Sequence, residues 1–274
     1  MKDGGGQSGW RILCWGMVLL GLVSIAWGWR EDSGEERKTV IIAHRAGAAV
    51  APENTIAALE CAIAAGADMA EVDIQMTADG VLIAIHDDNL ARTTGLDQSV
   101  SEVEFETVRR LDAGSWCSEA FVGEKIPTLE QLLGVAKGRI DLILELKCVG
   151  EEAAVAKVIE QVQADGMEGQ CALACAELDV LQRSKELAPD LDTVYIGQAL
   201  PWNLEALDYV DGYSIQGDAL NGDMVERVHD SGKRIYVWTV NTAEEISRVA
   251  AFGVDGTVTD DPALAIEMKK AAAQ

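Results

Sequence analysis

The sequence predicts an α/β fold: a (β/α)8 TIM barrel with a hairpin arm after its second strand, preceded by one N-terminal transmembrane helix. Three observations predict it. Eight short apolar runs, with helical patterns between most of them, occupy the chain from Thr39 onward, and a parallel barrel of this repeat takes typically ~250 residues. A further apolar run, VLIAIHD at 81–87, follows EVDI at 71–74 too closely for a parallel crossover, which needs roughly a dozen residues. Residues 12–29 carry no charge. The competing architecture is an open doubly wound sheet, but the chain has no Gly-rich dinucleotide turn.

Residues 1–11 form a short polar tail. The stretch 12–29, ILCWGMVLLGLVSIAWGW, is long enough to suggest a membrane-spanning helix. Trp10, Trp27 and Trp29 flank it as interfacial tryptophans do. A cleaved signal peptide, with Ser24 and Ala26 before the cut, is the alternative, and would give a secreted protein. The tryptophans favour an uncleaved single-pass anchor. Lys2 and Arg11 precede the segment, while Arg37 and Lys38 also follow it, so the positive bias is weak; the preferred topology puts the tail inside and the domain outside the cytoplasm. Residues 30–38 read as a charged linker and 39–274 as the barrel domain.

The barrel strands are read at 39–44, 69–74, 140–147, 171–176, 192–197, 211–216, 234–240 and 254–259. Helices are expected from Asn54 to Ala65, capped by Asn54 or Thr55, and over Glu151–Ala164, Glu177–Leu187, Asp223–Ser231 and Ala243–Phe252. Gly166, Gly232 and Gly253 fall where helices stop. Asp79-Gly80 marks the hairpin turn; a turn centred between them sets His86 opposite Asp73. Residues 88–139 make a long connection with helical pieces near Val103–Leu111 and at Thr128–Lys137, the latter opened by Pro127.

The net charge of −24 argues against nucleic acid, whose binding needs clustered Lys and Arg. It also gives no pull toward anionic membranes. The six cysteines, Cys14, Cys61, Cys117, Cys148, Cys171 and Cys175, contain no C-x-x-C pair and match no zinc spacing. Their positions neither require nor forbid a disulfide.

In a barrel the C-terminal ends of the strands carry the site. The first strand ends in His44-Arg45, the second carries Glu71 and Asp73, and the hairpin delivers His86 and Asp87. The third parallel strand ends in Glu145 and Lys147, and a later one in Trp238 and Asn241. Glu71 and Asp73 are two apart and share a face. A buried carboxylate pair without a counter-charge is costly, and a hard divalent cation held by Glu71, Asp73 and Glu145 removes the cost. Arg45 and Lys147 suit a phosphate. His44 and His86 suit acid and base near neutral pH. The set fits phosphodiester cleavage. Singly, each residue has a plainer reading: a solvated charge, a satisfied histidine such as His229 on an exposed helix, or, for Trp238, a cap on the barrel core.

The chain resembles the glycerophosphodiester phosphodiesterases in AHRAGAAVAPENT (43–55), EVDIQMTADGVLIAIHD (71–87), LELK (144–147), VWTVN (237–241) and VDGTVTDDP (254–262). The first two together are highly specific. The resemblance implies a phosphatidylinositol-phosphodiesterase-like barrel, one divalent cation, Ca2+ or Mg2+, and the products glycerol 3-phosphate and an alcohol. It implies that His44 and His86 are the catalytic pair and that Arg45 binds phosphate. Glu71, Asp73 and Glu145 match the metal ligands, Lys147 the active-site lysine, and Trp238 an aromatic residue near the glycerol pocket. One departure is Ala46, where the family often has glycine; Gly47 follows it.

The leading expectation is therefore a membrane-anchored, metal-dependent enzyme acting on small glycerophosphodiesters. A lysophospholipase D-like activity on membrane lysolipids is a second, and a non-catalytic binding module on the same scaffold a third. The last predicts missing rim residues, and they are present.

Overall fold

The computed structural model describes residues 39–147 and 152–272. The expected span at 12–29 lies outside them, as do the tail and linker. No helix among the described residues is long and apolar enough to cross a membrane.

Among the described residues nine strands form one sheet: β1 (Val40–Ala43), β2 (Met69–Met76), β3 (Leu82–Ala84), β4 (Asp141–Leu146), β5 (Cys171–Cys175), β6 (Asp192–Gly197), β7 (Gly212–Gln216), β8 (Arg234–Trp238) and β9 (Gly256–Thr259). Their order is β1-β9-β8-β7-β6-β5-β4-β2-β3, and a β1–β2 pairing closes the ring. All strands but β3 run parallel to their neighbours, so the closed barrel has eight strands and β3 is an antiparallel arm on β2. The helices are α1 (Ile56–Ala65), α2 (Ala91–Thr94), α3 (Phe105–Val108), α4 (Leu129–Ala136), α5 (Glu152–Ala164), α6 (Leu178–Leu187), α7 (Gly222–Asp230), α8 (Ala243–Ala250) and α9 (Pro262–Ala272). Between β6 and β7 there is only a short 3-10 turn, Leu204–Ala206. Buried Leu204, Leu207 and Val210 cover the wall there in place of a helix.

Strand alternation sorts the core. Met69 faces the lumen with Ile42, Ile143, Ala172, Val194, Tyr236 and Val258. Ala70, Val72 and Ile74, the alternate set on β2, pack outward with the helices. Glu71 and Asp73 have the parity of Met69, and Glu145 that of Ile143, so the lumen face becomes acidic at its top. A third cluster, Ile83, Ile85, Leu90, Val100, Val103, Val108, Ala113 and Ile126, is the small core of the insert that follows the arm.

The hairpin register departs from expectation by one residue. Ile74 pairs with Ala84 and Met76 with Leu82, so Ile85 opposes Asp73 and its N–H donates to the Asp73 carbonyl at 3.0 Å. The loop has three residues rather than two. Thr77 N–H donates to Val81 O at 3.0 Å, Thr77 Oγ1 accepts from Val81 N–H at 3.0 Å, and Gly80 takes φ +81°, the left-handed closing position of a three-residue hairpin. His86 thus lies beyond the arm, in a bend. Gln75 fixes that bend: its Nε2 donates to the carbonyls of Ile85, His86 and Asp87 at 3.1, 3.1 and 2.8 Å.

Candidate active site

His44 and Arg45 leave β1 through a tight turn. Arg45 and Ala46 both adopt left-handed backbone, φ 47° and 65°, ahead of Gly47 at 110°. Ala46 thus occupies a strained position itself, and Gly47 does not take it over; such residues cost about 1–3 kcal/mol each. The turn aims Arg45 N–H at Glu71 Oε2, 2.8 Å away.

A cavity of about 170 Å³ opens at the C-terminal ends of the strands, and His44, Arg45, Glu71, His86, Glu145, Lys147 and Trp238 line it. Asp73 does not line it. It is 1 % exposed, yet Glu71, Asp73 and Glu145 each bring a carboxylate oxygen within 4.8 Å of the others. Trp238 closes the lumen: it packs against the inner cluster and its Nε1–H donates to Ser214 O at 3.1 Å.

The acidic trio fits a hard cation. Glu71 Oε1 is buried with no hydrogen-bond partner, a costly state for a carboxylate oxygen. Burial pushes the Glu71 carboxyl well above its usual range, and repulsion from Asp73 and Glu145 adds to the rise. Burial also raises Glu145; Lys147 opposes this and Asp73 reinforces it. Lys147 Nζ reaches Glu145 Oε1 at 2.5 Å and Asp73 Oδ1 at 3.3 Å. Burial works against its charge, but the carboxylates outweigh burial and hold its pKa above the ordinary value. Arg45 Nε stands 3.8 Å from Asp73 Oδ2, so two cations face three carboxylates; the set keeps negative charge in a low-dielectric pocket, and oxygen donors in such a set are what Ca2+ or Mg2+ take.

Each rim histidine is held by a carboxylate at Nδ1. His44 Nδ1 lies 2.6 Å from Asp260 Oδ1, and His86 Nδ1 lies 2.8 Å from Asp87 Oδ1. An ionised carboxylate only accepts, so the shared proton sits on Nδ1 and Nε2 is the nitrogen left for chemistry. Asn241 Nδ2 donates to the other Asp260 oxygen at 2.6 Å. Burial works to raise Asp260, but the His44 and Asn241 contacts prevail and its pKa falls below the usual value. Hydrogen bonds from Arg92, with His86 adding, bring Asp87 down to about 2.

Several of these partners escape a reading of strand ends. Asn54, one of the two candidate helix caps, grips Asp73 instead. Its Nδ2 donates to Asp73 Oδ2 at 2.7 Å, and its Oδ1 accepts from Asp73 N–H at 3.0 Å. Thr55 is the cap, accepting from Ala58 N–H. Asp260 and Glu53 stand in loops, and Arg92 on the single-turn α2, which is too short to show helical periodicity. The available signal is that Glu53 and Asp260 fall inside the motifs at 43–55 and 254–262 and that Arg92 follows the motif at 71–87 closely. His229 is satisfied, as expected, but half-buried rather than exposed: its Nε2 lies 2.9 Å from Asp255 Oδ2, which accepts from Ile235 N–H at the foot of β8. Four cysteines lie among the described residues and all are free thiols: Cys171 and Cys175 buried, Cys61 half-buried, Cys117 exposed.

A parallel barrel whose rim unites an acidic trio, an arginine, a lysine and two carboxylate-held histidines defines a class: barrel enzymes equipped for phosphodiesters. The model of the glycerophosphoryl diester phosphodiesterase family matches residues 44–264, and the chain belongs to that family. YhdW of Bacillus subtilis strain 168 is 37% identical over 232 residues, covering 81% of this chain and 94% of its own. A glycerophosphodiester phosphodiesterase of Caldanaerobacter subterraneus subsp. tengcongensis is 33% identical, covering 84% of this chain and 98% of its own. Among solved structures, an Oleispira antarctica phosphodiesterase in complex with the product sn-glycerol-3-phosphate superposes with a TM-score of 0.80. It is 28% identical and covers 84% of this chain and 96% of its own.

Proposed function

We propose that this protein hydrolyses glycerophosphodiesters to glycerol 3-phosphate and an alcohol. One observation carries the reading: two histidines anchored at Nδ1 share a single cavity with Arg45, Lys147 and the acidic trio. Glu71, Asp73 and Glu145 hold a divalent cation, Ca2+ or Mg2+, whose chemistry when bound is to neutralise phosphate charge. Arg45, fixed at its backbone by Glu71, offers guanidinium donors to the phosphate oxygens as charge builds on them. Lys147 adds a second cation at the same wall. One histidine accepts a proton through Nε2 from the attacking group, water or the glycerol 2-hydroxyl, and the other returns a proton to the departing alcohol; on the second route water then opens the cyclic phosphate to glycerol 3-phosphate. Trp238 gives the glycerol moiety an apolar surface.

The chain is further read as anchored by 12–29, with the barrel outside the cytoplasm. Topology supports small soluble diesters over lysolipids of the same bilayer. β1 enters the barrel at Val40, at the N-terminal end of the strands, whereas the cavity lies at their C-terminal ends. The linker 30–38 spans at most about 30 Å when fully extended, so an anchored barrel points its mouth away from the membrane. The test compares glycerophosphocholine with lysophosphatidylcholine, using the full chain in vesicles and a fragment starting near Glu31. Both forms are expected to turn over the small diester. A full chain that prefers the lysolipid overturns the orientation, and a folded fragment inactive on every small diester overturns the substrate.

A further inference from the structure

Arg92 stands outside the cavity, on α2 of the insert. Its guanidinium makes two forks. Nε and Nη2 donate to Asp87 Oδ2 and Oδ1 at 2.6 and 3.1 Å, while Nη1 and Nη2 donate to Glu53 Oε2 and Oε1 at 2.8 and 2.7 Å. Trp116 lies over it, 5.8 Å from ring centroid to guanidinium carbon. One oxygen of each carboxylate is shared with a rim group. Glu53 Oε1, besides Arg92 Nη2, accepts from Arg45 Nη1 at 2.9 Å, and Asp87 Oδ1, besides Arg92 Nη2, accepts from His86 Nδ1–H at 2.8 Å. The result is one chain of alternating charge, Arg45–Glu53–Arg92–Asp87–His86. It joins three segments that share no regular element: the β1–α1 loop, the bend after β3, and the insert.

We infer that Arg92 is a positioning residue that sets two rim groups at once, Arg45 through Glu53 and His86 through Asp87. The inference rests on the proposed phosphodiesterase reading. Geometry makes the link directional. The Glu53 side chain is only 8 % exposed and is shared between two guanidinium groups. With Arg92 gone, Glu53 has Arg45 alone as its counter-charge. The free Glu53 oxygen then takes a second Arg45 donor, as carboxylate–guanidinium pairs favour bidentate contact. Donors that face the phosphate are withdrawn from it, so substrate affinity falls. On the other branch Asp87 loses the fork that fixes its rotamer, and the His86 ring loses its orientation, so turnover falls. Lysine does not substitute, because one ammonium cannot span two carboxylates in paired forks. Arg92 is itself 40 % exposed, so its removal opens the position to solvent.

The test uses Arg92→Met, Arg92→Lys and Arg92→Ala with glycerophosphocholine as substrate and wild type measured alongside. Arg92→Met raises KM and lowers kcat by about 10-fold each, and Arg92→Lys recovers neither. Adding Glu53→Gln to Arg92→Met brings KM back to within about 3-fold of wild type, since no anion remains to retract Arg45, while kcat stays low. Guanidinium ion at about 50 mM partly restores Arg92→Ala, because it refills the solvent-open fork. Arg183→Met, on the exposed face of α6, stays within about 2-fold as the control. The inference is overturned if Arg92→Met keeps kcat and KM within about 2-fold. It is also overturned if activity falls only in step with the folded fraction, with no recovery from guanidinium or from the double variant. A wild type inactive on glycerophosphodiesters refutes the functional reading instead, and the two failures are separable.

Discussion

Asp260→Asn is the perturbation most closely tied to geometry. Asp260 holds His44 Nδ1 at 2.6 Å and is itself held by Asn241; Arg45 acts on it through charge alone. A hydrogen bond to a charged partner is worth about 1.5–3 kcal/mol, and the pair is partly buried, 19 % and 27 % exposed at the two side chains. Solvent screening trims the upper end. At about 1.4 kcal/mol per decade of rate, losing the carboxylate charge costs about 10–100-fold in kcat. KM stays within about 3-fold, since Asp260 acts through His44 and not on the substrate. Steady-state release of glycerol 3-phosphate from glycerophosphocholine reads both constants. Asp260→Ala, which removes the acceptor as well, falls at or beyond the far end of that range. If Asp260→Asn keeps kcat within about 2-fold, the Nδ1 contact does not set the His44 proton and the reasoning fails.

Two further outcomes follow from the same site and one from the opposite end of the barrel. His44→Ala and His86→Ala each lower kcat by about 10²–10⁴, and the double variant falls far short of the product because acid and base serve one reaction; near-wild-type turnover by either single variant contradicts the pair. The Glu71 carboxyl is raised in the folded state by burial and by Asp73 and Glu145, so the metal-free fold binds its proton more tightly than the unfolded chain does. Its contribution to stability therefore falls as pH rises above the ordinary carboxylate range. In EDTA, Glu71→Gln gains Tm on wild type as pH rises above the ordinary carboxylate range, and saturating Ca2+ or Mg2+ raises the wild-type Tm only; a cation-dependent gain that survives in Glu71→Gln removes that carboxylate from the ligand set. His229→Ala leaves kcat unchanged but costs about 1–2 kcal/mol in denaturant unfolding, because Asp255 keeps its half-buried charge without the imidazole; no loss of stability means that the contact carries none.

Fold and site were legible to different depths. The barrel follows from local rules: apolar runs at regular spacing, glycines where helices stop, and threonines that cap. Thr128 and Thr242 each form a capping box with the residue three positions on. Glu71, Asp73 and Glu145 could be placed on one face because strand parity is local and rigid. The hairpin was off by one residue because a two-residue and a three-residue loop differ only in how Thr77 and Gly80 close it. That depends on a side-chain hydrogen bond, which apolar periodicity does not report. The partners of the rim residues were hidden for a further reason. Asp260 reaches His44 across 216 positions of chain, and Arg92 reaches Glu53 across 39. Asp260 and Glu53 sit in no periodic element and Arg92 on a single helical turn, so only the closed ring brings them together. Asn54 shows the ambiguity at its plainest. The side chain suited to capping a helix is equally suited to gripping a carboxylate, and Thr55 beside it took the cap.

The most direct measurement is phosphorus NMR of glycerophosphocholine incubated with purified protein and a divalent cation, with a parallel sample in excess EDTA. Cleavage on the alcohol side of the phosphate yields glycerol 3-phosphate and choline, and the signal of the diester is replaced by that of glycerol 3-phosphate only in the sample with cation. Phosphocholine and glycerol as products, or full conversion in EDTA, would contradict the assignment of this rim to metal-dependent glycerophosphodiester hydrolysis.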